Sequence, residues 1–73
     1  MKLLLLRIKK IHDFYSMGDN IQKGRIFDAS QPFIGKLVLL GFDRAFVESL
    51  VLFGKEFLIA EGVDDEIYST FFT

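Results

Sequence analysis

The sequence predicts a small α+β domain, and three observations carry that reading. Lys23-Gly24-Arg25-Ile26-Phe27-Asp28-Ala29-Ser30 reads as the returning strand of a β-hairpin that runs straight into a capped helix, which Leu40-Gly41 then ends. Residues 2–11 are at first apolar on both alternating faces, as in a strand covered on both sides that loses its cover toward one end. Residues 50–60 are two apolar runs about Gly54-Lys55, and glycine followed by another residue is the preference of a two-residue type II′ turn. A five-stranded barrel of SH3-like type is the alternative fold on the same pattern. At 73 residues the chain has room for one core, so residues 1–73 form a single domain.

The elements follow in order. Leu4, Leu6 and Ile8 occupy one strand face and Leu3 and Leu5 the other, until Arg7 and Lys9 take over the second. The rival is a helix carrying Leu4, Ile8, Ile11 and Tyr15 on one stripe, ended by Gly18. Gly18-Asp19-Asn20 and Gly24 are turn formers, which places Phe14, Tyr15 and Met17 near the tip of a long hairpin connection. Ser30 is a good N-cap and Pro32 suits a first turn, so a helix is expected over about 31–40. Phe33, Ile34, Leu37, Val38 and Leu40 form its stripe, with Leu39 outside it. Gly41 is placed as the left-handed residue beyond that helix. Ala45 to Glu48 then read as a third strand and 50–60 as a hairpin. The competing reading is a helix over 44–61, capped by Asp43 and Gly62, against which Gly54 and the β-branched residues weigh. Asp64 caps a short terminal helix with Asp65 and Glu66 in its first turn, and Ile67/Phe71 and Tyr68/Phe72 as its apolar pairs.

Composition excludes most chemistry. Cysteine is absent, so disulfides are excluded, which suits a reducing cytoplasm. The apolar run after Lys2 reaches only four residues before Arg7, too short for a signal core, and no segment approaches a membrane span. His12 is the lone histidine. On a strand it points away from Asp13, so the two make no acid–base dyad, and zinc has no ligand set. The glycines form no phosphate-cradling fingerprint. The expectation is a protein that is not an enzyme, with no cofactor, no metal and no small-molecule substrate.

Apolar residues make up 51% of the chain, nine of them Phe, so either the core is unusually aromatic or part of the surface meets another chain. The formal charge of −1 conceals a polarity: residues 1–36 carry seven Lys/Arg against three Asp/Glu, and residues 37–73 carry two against seven. Such asymmetry bears on association, and head-to-tail contacts between copies are one outcome. Protein docking is therefore the expected function, with Tyr15, Met17, Leu39, Phe71 and Phe72 as candidate contact residues. The partner is either the chain's own copies or a host protein. The alternative is a nucleic-acid-binding β-barrel using Lys2, Arg7, Lys9 and Lys10, although the acidic second half repels phosphate.

The layout also resembles a group of small phage and prophage proteins that includes the N-terminal domain of the Mu-like prophage FluMu type. That pattern has an apolar, lysine-bearing opening strand, a glycine-bearing loop, a segment close to K-G-x-[IVY]-[FI]-[DE]-[VA]-[ST], and a short helix ending Leu-x-x-Gly. The matching residues lie at 2–8, Gly18, 23–30 and, with one residue more between Leu37 and Gly41 than the pattern has, 37–41, with Ala45 and Val47 after them, so about 2–48 is covered and the C-terminal third departs. The resemblance implies a non-enzymatic phage accessory or virion-associated protein, or an inhibitor of a host protein, found in the host cytoplasm or the virion. A second likeness is Leu40-Gly41-Phe42-Asp43-Arg44, which is similar to the loop after the first helix of ubiquitin-associated domains. The hairpin expected at Gly54-Lys55 departs from their three-helix bundle.

Overall fold

The computed structural model describes residues 2–63 and 65–71, without the side chains of Lys2 and Thr70. It corrects the fold class. Five helices run in order, α1 (Lys2–Met17), α2 (Asn20–Leu39), α3 (Arg44–Phe53), α4 (Lys55–Glu61) and α5 (Asp65–Phe71), and no strand occurs among the described residues. The expected N-terminal hairpin, the strands over 45–60 and the SH3-like barrel alternative are all replaced by helix. Among the described residues no helix is long and apolar enough to cross a membrane.

The reason lies in how α1 is surrounded. It packs against α2, α3 and α5, so its apolar arc is wider than a single amphipathic stripe. Leu5 and Ile8 are buried, and Leu4, Ile11 and Tyr15 pack on the same core. Leucines spread over that arc fall on both sides of an imagined strand, which is why residues 2–8 mimic one. The same holds downstream, where α3 packs on α1, α2 and α4.

Local chemistry sets where the helices break. Asp19 caps α2 by accepting the Gln22 amide at 2.8 Å, so the turn formers make a two-residue corner between helices. The helix expected over 31–40 exists but begins at Asn20. Ser30 is buried inside α2 and donates its hydroxyl to the Phe27 carbonyl at 2.7 Å, and Pro32 lies within the helix. Gly41 does take a positive φ of 107°. Its amide reaches the Val38 carbonyl at 3.0 Å and that of Phe42 reaches Leu37 at 3.1 Å, the paired bonds of a Schellman end. Asp43 caps α3 through the Phe46 amide at 3.0 Å. Asp43→Ala is expected to cost about 1 kcal/mol in urea unfolding, with the helix content of the folded state unchanged.

The helix weighed over 44–61 is present in two pieces, hinged at Gly54 and ended by Gly62 at φ 65°. Gly54, at φ 58° and ψ −127°, lies under the His12 ring, and His12 Nδ1 donates to the Val51 carbonyl at 2.8 Å. Ile34, Leu37, Val47, Leu50, Val51, Leu58 and Phe71 complete the core. The terminal helix appears as expected in α5, while its proposed cap Asp64 lies outside the described residues.

Candidate protein-docking groove

α1 and α2 form an antiparallel hairpin, and α3 packs on both of them. A groove of about 390 Å³ is lined, among the described residues, by α1 and α2 and by none of α3. Arg7, Ile11 and Phe14 line it from α1, and Ile26, Ala29 and Phe33 from α2. The spacing explains the set: these residues recur at three, four and seven along each helix, beside the buried positions Leu5 and Ile8 of α1 and Ile34 and Leu37 of α2.

The groove is apolar with one fixed charge. The Arg7 guanidinium stacks 4.8 Å from the centre of the Phe33 ring, which holds the cation at the wall. Phe14 is 65% exposed, although it is a large aromatic lining the groove. Further cations border the groove. Lys10 lies three residues from Arg7 and four from Phe14, Arg25 four before Ala29, and Lys36 three after Phe33, all exposed. A second depression on α1, about 580 Å³, shares Arg7 and adds Leu3, Leu6, Lys9, Lys10 and Asp13.

The residues singled out from sequence are distributed as follows. Met17 is exposed at the tip of the hairpin and Leu39 at the far end of α2, about 30 Å away at 1.5 Å per residue, so they share no site. Tyr15 is half-buried against the core with the Lys23 ammonium 5.6 Å from its ring centre. Phe71 is wholly buried, which removes it from the accessible surface, and Phe72 lies outside the described residues. Arg7, Lys9 and Lys10 sit on a helix, not on the basic strand expected. Arg7 and Lys10 face solvent, Lys9 is half-buried, and the Lys2 side chain lies outside what the structure describes.

Sequence reasoning missed Phe14, Ile26 and Phe33 as groove residues. The signal was present in the helical reading of residues 2–17, whose stripe of Leu4, Ile8, Ile11 and Tyr15 leaves Leu3, Arg7 and Phe14 to one side. The strand reading dispersed them.

The arrangement supplies shape, apolar surface and positive charge. His12 is engaged as a cap on the last turn of α3, and its neighbour Asp13 is exposed. Among the described residues no three metal-binding side chains gather. The helix pair about Gly54 replaces the hairpin that set this chain apart from ubiquitin-associated domains, yet α2 and α4 share no substantial interface, unlike the helices of a compact three-helix bundle. No family model, curated protein or solved structure matches the chain.

Proposed function

We propose that this chain is a non-catalytic protein-docking module whose α1–α2 groove receives an amphipathic helical segment bearing acidic residues. The observation that carries the reading is an open apolar groove between two rigid helices, with Phe14 left exposed at its edge and Arg7 fixed in its wall. Helix-in-groove recognition needs apolar anchors at helical spacing, and the cations beside the groove favour carboxylates on the same segment. Concavity favours an inserted side-chain ridge over the phosphate backbone of a nucleic acid, and Leu3, Leu6 and Asp13 interrupt the cations of the neighbouring depression. In the setting implied by the phage resemblance, the module acts in the cytoplasm or in a virion, on an assembly subunit or a host protein.

The test uses the isotopically labelled protein and a synthetic helical peptide with leucines on one face and glutamates on the other. Amide shifts are expected at Arg7, Ile11, Phe14, Ile26, Ala29 and Phe33, with affinity weakened about tenfold by Arg7→Glu. Shifts that are absent or scattered over the molecule overturn the reading. So does a single-stranded oligonucleotide that binds at Arg7 to Lys10 with a steep salt dependence while the peptide does not bind.

A further inference from the structure

The charge split along the chain survives folding beside the groove. Arg7, Lys10, Arg25 and Lys36 are exposed on α1 and α2, as are Asp13, Asp28 and the capping Asp19, but none of these three carboxylates lines the groove; Asp43, Glu56, Glu61, Asp65 and Glu66 are exposed from the start of α3 onward. Of the two cations in the second half, Arg44 donates to Gln31 Oε1 at 2.8 Å, and Lys55 stands in the first turn of α4.

The acidic surface has its own relief. α4 packs chiefly on α3, so most of its circumference faces solvent. Phe57 stands between two clefts, one lined by Asp43, Phe46 and Glu61 among others and the other by Phe53, Glu56 and Ala60. Among the described residues no lysine or arginine lines either cleft. Phe46 and Phe57 meet edge to face with centroids 5.4 Å apart, and Phe53 is 56% exposed. The result is a short ridge on which Phe53 is exposed while Phe46 and Phe57 are half-buried against the core, with carboxylates beside them. Its dimensions suit the groove: seven residues of α4 and the stretch from Arg7 to Phe14 each run about 10 Å.

We propose that the occupant of the α1–α2 groove is the α3–α4 ridge of a second copy of this chain. Phe53 enters among Phe14, Ile26 and Phe33 with the accessible edge of Phe57 beside it, while Glu56 and Glu61 meet Arg7 and the flanking cations. Among the described residues none of α3 or α4 lines the groove, so a molecule does not fill its own. Groove and ridge are different surfaces, so the contact is head-to-tail and propagates into a ring or an open chain. This assignment rests on the docking reading above and names its partner.

Sedimentation of the full chain over rising concentration reads the association directly. The wild type is expected to grow in mass at about 50 mM salt and to lose at least about tenfold in association constant at about 500 mM, where the Debye length falls to a few ångströms. Two variants at exposed positions separate the surfaces. Phe14→Glu spoils the groove and Phe53→Lys spoils the ridge, and each alone is expected to remain monomeric with wild-type helix content. An equimolar mixture joins the intact ridge of the first to the intact groove of the second, giving a dimer that stops there. A mixture that stays monomeric overturns the proposal, as does a variant that dimerises by itself. If the wild type is monomeric throughout while the acidic peptide still binds the groove, the second-copy assignment fails and the docking reading stands. Loss of both results overturns both.

Discussion

Phe71→Ser is expected to remove about 4 kcal/mol of stability, the range measured when a buried phenylalanine is truncated. Phe71 is fully buried and is the largest such side chain in the core, set among residues of α1, α2, α3 and α4. A chain of this length has roughly 4–10 kcal/mol in total, so the variant sits at the edge of unfolding. Urea titration followed by circular dichroism is the measurement, with Phe14→Ser as control. Phe14 is 65% exposed, and its truncation is expected to leave the midpoint almost unmoved. A stable, well-folded Phe71→Ser protein would mean that α5 does not close the core. The contrast also separates the two roles open to an aromatic residue in this chain, since Phe71 holds the fold and Phe14 is free to hold a partner.

Gly54→Ala is the second large effect, expected at about 3 kcal/mol from two sources. At φ 58° and ψ −127° the backbone occupies a region that a side chain with a Cβ avoids. A Cβ there also overlaps the His12 imidazole, which must move and give up its 2.8 Å bond to the Val51 carbonyl. His12→Ala alone is expected to cost about 2 kcal/mol, through the lost bond and the lost contacts of a half-buried ring. In the double variant the steric overlap is gone. Its cost therefore falls short of the sum of the two by about 1 kcal/mol, which a double-mutant cycle in urea resolves. Simple additivity, or a neutral Gly54→Ala, would show that the ring does not rest on the hinge.

That hinge shows why parts of the fold were legible in the sequence and parts were not. Gly54 announces a break, and a break is what it makes. On the sequence alone it reads as a hairpin turn, because apolar residues flank it on both sides and a glycine-first dipeptide suits a type II′ turn. The helical alternative differed only in the partners it required, and those partners are α1 and α2, remote in sequence. Ser30 teaches the same lesson. Its hydroxyl is suited to an N-cap, but inside α2 it bonds back to the Phe27 carbonyl, and the helix continues through Pro32. The groove was hidden for a related reason. Arg7, Phe14, Ile26 and Phe33 come together only once residues 2–17 and 20–39 are both helices lying side by side.

The sequence by itself determined what depends on a few neighbouring atoms. Gly41 and Gly62 end helices because they adopt positive φ at little cost, and Asp43 starts one because its carboxylate reaches an amide three residues on. The charge asymmetry of the two halves is likewise a property of the chain alone. Only the tertiary structure decided whether the apolar stretches between those signals became helix or strand. Intrinsic preferences differ by under about 1 kcal/mol per residue, and a short helix is marginal without burial of one face. Packing around α1 outweighs that difference, since α1 offers apolar surface to three helices at once. The same packing leaves a groove lined, among the described residues, by α1 and α2 and by none of the later helices.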